Sequence, residues 1–574
     1  MRVNIVKSKN AEQVYIIQSL RIDGKSTSKI YKKLGTMESL INKYGSREKA
    51  LEYAKNEAIK ETEKYNQEIE NIVVEFDPSS TIDKNDKKLF NVGYLFLQDL
   101  YYEMKINNIV RNIKNRYKYE YDLNEILRHL IFTRIMYPSS KKSSYDSAFK
   151  FIEKPSYELH DIYRSLDVLA KEMDYIQSEL YRNSNYISKI NSDVLYYDCT
   201  NYYFEIEEDD DFRKYGKSKE NRPNPIVTMG LFMDGDGIPL SFSLEPGNKN
   251  EQLSLKPLEN KIINDFDIKE FIYCSDSGLA SKSNKLFNSI SNRKFVITQS
   301  LKKLKAEYKD TALSHDGFRL IGSDKFINID TLDEDDIHIY NNIYYKEIPI
   351  KDSNINERII VTYSPKYKNY QRNIREKQIN RAKDLINSNN KLKRGTKNPN
   401  DPKRFIDKVN VDANGEKIDT YYFLNEDKIK EEAKYDGFYA VSTNLEDDVS
   451  RIININKRRW EIEECFRIMK HEFKARPVEV RKEDRIKAHF LTCFIALLIY
   501  RLLEKKLNYK YTINQILTTL KDMNVLEIKG IGYIPTYERN DITDDIHEIF
   551  NFRTDKEIIK KSKMKSIIHN TKNK

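Results

Sequence analysis

Glycine, proline, cysteine and tryptophan are all scarce in this chain of 574 residues, which has 17 Gly, 14 Pro, 4 Cys and 1 Trp. So little Gly and Pro excludes collagen-like or linker-like material. The cysteines, Cys199, Cys274, Cys465 and Cys493, stand far apart and form no C-x-x-C pair. That excludes a disulfide framework or structural zinc site and is expected of a protein kept in a reducing cytoplasm. The 8 His are scattered as well. No apolar run reaches the roughly 18–20 residues that span a bilayer. The closest, 490–502, is broken by Thr492, ends at Arg501 and reads as a buried helix. The start, MRVNIVKSKN, lacks the apolar stretch of a signal peptide. A soluble protein with no membrane partner is the expectation.

Apolar material is nonetheless ample: 39% of residues are hydrophobic and 11% aromatic, with 40 Tyr and 25 Phe. Several cores can be buried, which excludes intrinsic disorder for the whole chain. At about 150 residues per domain the length predicts three or four. Lys and Arg outnumber Asp and Glu by 99 to 89, a net +10 that favours polyanionic partners. The excess is local. Residues 371–408 hold 12 Lys and Arg against 4 acids, a net +8, and 555–574 hold 7 Lys against 2 acids, a net +5. Solvated helix faces and a frayed terminus are the ordinary readings of such segments.

Residues 14–35 alternate around Asp23-Gly24, as in a β-hairpin. The string Gly24-Lys25-Ser26-Thr27 ends like a phosphate-binding loop, but Ser19 stands where that motif needs its first Gly. Residues 37–70 read as charged helix, and 88–186 show apolar spacings of 3–4, as in LFNVGYLFLQDLYYEM. The pattern changes at Asp193. DVLYYDCTNYYFEIEE reads as a strand, and IVTMGLFMDGDGIPLSFSLEPGN as two strands joined at Asp234-Gly235-Asp236-Gly237. Glu251 to Phe266 reads as a helix, and FIYCSD and KFVITQS as further strands. Three antiparallel strands followed by alternating helix and strand is the order of a ribonuclease-H-like α/β layer. Residues 301–445, rich in Lys, Asn and short strands, interrupt that layer before a helical region at 446–525.

Two carboxylates fall where strands would present them at a sheet edge: Asp198 in LYYDCTNYYF and Asp276 closing FIYCSD. Capping the following turn is the ordinary role of either one. Side by side they would repel and need a cation between them. Oxygen-only ligands favour Mg²⁺ or Mn²⁺. The segment NKRRWEIEECFRIMKHEF reads as one helix. At about 100° per residue, Asn456, Arg459, Glu463 and Lys470 form a polar stripe about 60° wide. That stripe borders the apolar face of Ile462, Phe466, Met469 and Phe473, so it is expected at the rim of the sheet. Glu461, Glu464 and Lys457 lie opposite and are expected in solvent. An Arg459–Glu463 pair is the ordinary reading of the stripe. Trp460 sits beside it, either packed against a neighbouring helix or free to stack on an unpaired base. The run 207–211 is expected to be solvated loop, His489 a satisfied core histidine, and Cys199 and Cys274 small hydrophobes in the sheet.

Arg459, Glu463 and Lys470, separated by three and six residues, match the Tyr-x-x-Arg-x-x-x-Glu-x-x-x-x-x-x-Lys signature of a large group of bacterial insertion-sequence DDE transposases. The chain also resembles that group in YYDCTNYYFE, YGKSKENRPNP, PGN, YCSDSGLASKSN and RWEIEECFRIMK…ARPVEVR…RIKAHFLTCFIALLIYRLL, and more weakly in the N-terminal hairpin and RIMYPSSK. The likeness covers roughly 190–505. Asn456 replaces the Tyr, so a phosphate contact from that hydroxyl must be absent or replaced. The resemblance implies a ribonuclease-H-like catalytic core with a β-rich insertion, and Asp198, Asp276 and Glu463 as catalytic and metal-binding residues. It implies that Arg459 and Lys470 hold phosphates of DNA, the first as a fork and the second as a point charge. Two Mg²⁺ ions (Mn²⁺ is the alternative) about 3.5–4 Å apart would activate the attacking oxygen and steady the leaving one. The implied partners are double-stranded DNA, both element ends and target, and a second copy of the chain in a synaptic homodimer. The implied location is the cytoplasm, at the nucleoid.

The expected layout is therefore an N-terminal hairpin and helix at 1–80, a helical candidate DNA-binding domain at 81–190, and a core at 191–300. An insertion at 301–445, the rest of the core at 446–525 and a basic tail at 526–574 follow. A DNA-binding relative that no longer cuts, and another ribonuclease-H-like nuclease such as a junction resolvase, are the competing functions. The intact carboxylates count against the first. The Arg-Glu-Lys spacing and the insertion count against the second.

Overall fold

The computed structural model describes residues 1–7, 11–22, 25–67, 74, 77–79, 81–351, 355–388, 400–412 and 418–574, in two units, Met1–Asp86 and Lys87–Lys574. In the first unit, β1 (Arg2–Lys7), β2 (Glu12–Ile22) and β3 (Lys25–Thr36) form an antiparallel sheet beside helices Met37–Tyr44 and Arg47–Gln67. Strands β2 and β3 are the two arms expected at 14–35; their Asp23-Gly24 turn lies outside the described residues. Thr36 caps the first helix by accepting from the Ser39 amide. Gly45, at φ 90°, ends it in a left-handed turn that a side chain would disfavour. Val14, Met37, Leu40, Ala50 and Ala54 form this unit's core.

The second unit begins with β4 (Leu89–Asn91) and six helices between Tyr94 and Ile187. Its main sheet takes β5 (Val194–Tyr203), β6 (Ile226–Met233), β7 (Pro239–Pro246), β8 (Ile272–Ser275) and β9 (Lys294–Thr298). Strands β5, β6 and β7 are antiparallel neighbours, and β8 and β9 add in parallel beside β5. The β6–β7 turn falls at the expected DGDG, where the buried Asp234 carboxylate accepts amides of Asn191, Asp236 and Ile238. The next strands are β10 (Phe318–Leu320), β11 (Phe326–Ile327), β12 (Tyr344–Pro349) and β13 (Arg358–Tyr363). The β14 (Ile406–Asp412)–β15 (Ile418–Leu424) hairpin forms a separate pair, and β16 (Phe438–Thr443) follows it.

The main sheet runs β11-β10-β12-β13-β16-β9-β8-β5-β6-β7. Residues 301–445 therefore extend the core sheet: β16 pairs antiparallel with β9 and covers an edge that β9 would otherwise leave unpaired. The helical segment at 81–190 is likewise joined to the region after Glu463, because both contribute to one hydrophobic core. Its centre is helix Glu483–Lys506, the one described helix of a length and apolarity that would suit a bilayer, here enclosed by its neighbours. Residues 526–574 carry no frayed tail. β17 (Asn524–Ile528), β18 (Gly532–Pro535) and β19 (Ile559–Lys560) form a sheet with β4. The Phe552 ring stacks on Phe96 at 4.6 Å, and buried Met564 and Ile567 anchor helix Lys561–Lys572.

Residues alternate across β5. Tyr196 and Tyr202 face the core under helix Glu483–Lys506, whereas Leu195, Tyr197 and Cys199 face a second core under helix Glu251–Asp265. Phe494 fastens the long helix to this layer, its ring 5.0 Å from that of Phe242 on β7, both fully buried. Phe494→Ala should cost about 3–5 kcal/mol. Chemical denaturation followed by far-UV circular dichroism should show that loss in the Lys87–Lys574 unit.

Candidate active site

Strand pairing brings the two aspartates together. In the parallel β5–β8 ladder Tyr197 is opposite Ser275, so Asp198 and Asp276, one residue further on, occupy matching positions on strands about 4.8 Å apart. By alternation Asp198 shares its face with Tyr196 and Asp276 with Cys274. That face is covered by helix Val449–Lys457: the Tyr196 hydroxyl donates to the Ile455 carbonyl at 3.0 Å. Both aspartates also accept the amide of the residue after them, Cys199 at 2.7 Å for Asp198 and Ser277 for Asp276. Asp276 thereby caps the short 3₁₀ turn Ser277–Leu279.

The segment 456–473 is not one helix. Helix Val449–Lys457 ends, Arg459 donates to the Asn456 carbonyl and Glu461 to that of Arg458, and a second helix, Trp460–Arg467, begins. These tighter bonds turn the chain at Arg458 and Arg459. A π-helical turn, Ile468–Glu472, then carries Lys470, with the Phe473 amide reaching back five residues to Ile468. The positions on the helical wheel therefore shift. Glu461, expected in solvent, is buried and pairs with Arg458 at 2.9 Å and with Arg501 at 3.4 Å. Arg501 also donates to the Gly237 carbonyl at 3.0 Å, which pins this helix to the β6–β7 turn. At Gly237 (φ 79°) a Cβ would meet the Arg501 and Glu461 side chains at 2.2–2.3 Å, so the turn requires glycine. Trp460 is 60% exposed and does not pack into a neighbouring helix.

Arg459 stands among the three acids. Its guanidinium pairs with Glu463 at 3.0 Å. Burial works against its charge, yet Asp276, Glu463 and Asp198 together hold its pKa above the ordinary value. Glu463 itself is more than half exposed. The structure thus gathers Asp198 and Asp276 on adjacent strands and sets Glu463 beyond the guanidinium. Among the described residues no three His, Cys, Asp or Glu side chains already stand close enough to share a metal ion. Burial pushes the Asp198 carboxyl up to about 6, against Lys219, the Cys199 amide and Arg459, with Asp276 adding to the rise. Lys470 donates to Thr200 Oγ1 at 2.6 Å and pairs with Glu220 at 3.3 Å. Burial and Lys219 bring it down to about 8.

Four participants were not singled out in the sequence. Lys219 lies 3.9 Å from Asp198 and 3.8 Å from Glu251, and Glu220 bridges Lys470 and Arg476. Both come from the YGKSKENRPNP string, whose mix of charges on a loop was the available signal. Thr200 follows Asp198 by two residues. Tyr439, on β16, had no signal: Asn456 donates to its hydroxyl at 3.0 Å, and Thr298 meets it at 2.8 Å. A tyrosine hydroxyl from another element thus stands beside Asn456 and within electrostatic reach of Arg459. His489 is buried and bonded to the Ala475 carbonyl at 3.0 Å. Cys199 and Cys274 are buried thiols pushed up to about 12 by burial. The acids of 207–211 lie on a loop, where Asp210 pairs with Arg213.

In metal-free buffer, folded Asp198 holds its proton to higher pH than the unfolded chain does. The native state is therefore penalised progressively as pH rises from about 4 through 6, and the penalty is constant above that. Its size is up to about 3 kcal/mol. Asp198→Asn should remove it: the variant's thermal midpoint should exceed that of the unmodified chain at pH 7–8, with the gap closing toward pH 4.

Residues 203–499 match the family model described as "Transposase DDE domain", more than half of the chain. The matched span holds Asp276 and Glu463; Asp198 lies five residues before it. No curated protein matches. Two solved structures share loose similarity. One is a piggyBac transposase synaptic complex with hairpin DNA, at 9% identity, covering 83% of this chain and 85% of that one with a TM-score of 0.35. The other is Marinitoga piezophila Argonaute with 5′ OH guide RNA and target DNA, at 11% identity, covering 52% and 56% with a TM-score of 0.14. Superpositions this loose support no argument about fold or function.

Proposed function

The chain belongs to the DDE transposase family, and we propose that it binds the ends of an insertion sequence and catalyses divalent-metal-dependent DNA cleavage and strand transfer. The observation that carries this is the placement of Asp198 and Asp276 at matching positions on adjacent strands, with Glu463 paired to Arg459, whose charge all three acids favour. The strand order of β7-β6-β5-β8-β9, with Asp198 within β5 and Asp276 directly after β8, supports the ribonuclease-H-like reading of the core.

The residues suit Mg²⁺ or Mn²⁺. The donor set is three carboxylates without nitrogen or sulfur, and a buried carboxylate whose charge is disfavoured gains most from a cation. Asp198, Asp276 and Glu463 would hold two ions, Glu463 by exchanging its partner Arg459. Such ions, when bound, activate the attacking oxygen and stabilise the leaving one. Arg459, released from Glu463, presents a planar fork to a phosphate, with the Tyr439 hydroxyl as a neighbouring donor in place of the tyrosine missing at 456. Lys470, poised near neutrality, adds a point charge on the Thr200 side. Trp460 offers an exposed indole face for an unpaired base. A second copy would bring the other DNA end.

One observation favours a second reading, a DNA-binding relative that no longer cuts: Glu463 rests against Arg459 and not against the aspartates. Nicking of element-end DNA with Mg²⁺ separates the two. Asp198→Ala, Asp276→Ala and Glu463→Ala should each abolish nicking and leave end binding intact in a mobility-shift assay; full nicking by any of them removes the triad assignment. Trp460→Ala should weaken binding of ends with unpaired bases by about 1–3 kcal/mol, and of full duplex by much less. Anisotropy titrations against the two substrates measure that difference.

A further inference from the structure

Two strings far apart in the sequence, RIMYPSSK (134–141) and ARPVEVR (475–481), meet around one cavity of about 680 Å³. Its wall carries eight Lys or Arg side chains and a single carboxylate, that of Glu479. Arg476 and Arg485 are engaged with Glu220 and Asp167. Arg134 spends its guanidinium on the carbonyls of Ser139, Phe473 and Lys474. Arg481 and Lys482 are exposed at the rim.

Lys141 is different. It is only 5% exposed, lines this cavity, and its ammonium has no hydrogen-bond partner among the described residues. A buried, unpaired ammonium is costly. Burial and the Arg134 charge bring Lys141 down to about 7, so an anion in the cavity would restore its full charge. Lys141 is also the first residue of helix Lys141–Ala148, capped by Ser140, so the helix's free amides and positive dipole end open at the same place. One wall of the cavity leads to the candidate active site: Arg476 pairs with Glu220, Glu220 with Lys470, and Lys470 with Thr200, two residues after Asp198.

We propose that this cavity is a phosphate-binding site in which Lys141 and the N-terminus of its helix hold a phosphate group, filled by a backbone phosphodiester of the DNA whose cleavable bond faces Asp198. The phosphate site stands on the cavity alone; its DNA occupant rests on the transposase reading. The cations clustered there supply sequence-independent affinity and fix the approach of the strand, the role phosphate contacts play in DNA complexes.

The test uses the full chain, without metal, and the variants Lys141→Gln and, at the exposed rim, Arg481→Gln. The probes are inorganic phosphate and a duplex of arbitrary sequence. Phosphate should raise the thermal midpoint of the unmodified chain and not that of Lys141→Gln. Lys141→Gln should bind duplex roughly tenfold more weakly at fixed salt. The slope of log affinity against log salt should fall by about 0.9 for each phosphate that is no longer neutralised, with Arg481→Gln moving it in the same direction. If phosphate stabilises the chain through Lys141 while duplex affinity and slope stay unchanged, the site holds and its occupant is a free phosphate. If neither probe distinguishes the variants from the unmodified chain, the proposal is overturned. A chain that fails to nick yet shows both effects would overturn the cleavage reading and leave this site standing.

Discussion

The structure turns on the cost of placing two carboxylates on adjacent parallel strands at the end of a buried sheet. Burial of Asp198 is the largest part of that cost and pushes its carboxyl up to about 6, with the Asp276 charge adding less. Cations surround the pair in response: Arg459 from one side, Lys219 from the loop after β5, and Lys470 beyond Thr200.

The rest of the second unit holds Arg459 near that pair, with Glu463 on the far side of the guanidinium. The inserted strands return through β16 to β9, and β16 feeds directly into helix Val449–Lys457. The turn at Arg458 and Arg459 then aims the next helix at the sheet end. Glu461 in its first turn is bound to Arg501, and Arg501 to the β6–β7 turn at Gly237. Helix Glu483–Lys506, wrapped by the helices between Tyr94 and Ile187 and by the C-terminal elements, supplies the apolar floor. An insertion that could have been a separate body is instead a continuation of the sheet. This couples the basic helix Pro365–Asn387 to the same framework.

Much of this was legible in residues. Alternation and turn chemistry placed the arms of β2 and β3, the DGDG turn and the short strand closing at Asp276, because these signals are local. The helix carrying Glu463 was legible only as an average. A uniform wheel put Glu461 in solvent, but a break at Arg459 and a π-turn at Lys470 rotated the residues on either side, and Arg501 compensated the buried charge. Trp460 reads as a packing residue by type and is exposed because it opens the second helix at that break. The C-terminal lysines suggested a fraying tail, although Phe552, Ile559 and Met564 between and around them were the stronger signal.

By itself the sequence determined the candidates for the chemistry: the acid within β5 and the acid closing β8, the Arg-Glu-Lys spacing and the alternation that fixes which face each acid shares. These depend on neighbours within a few positions, where periodicity and residue type suffice. Only the tertiary structure decided that Tyr439 stands beside Asn456, that Glu220 links Lys470 to Arg476, and that Lys141 is buried with no hydrogen-bond partner among the described residues, opposite residues more than 300 positions away. Such contacts are chosen by how strands pair and helices turn, and no local pattern encodes the partner.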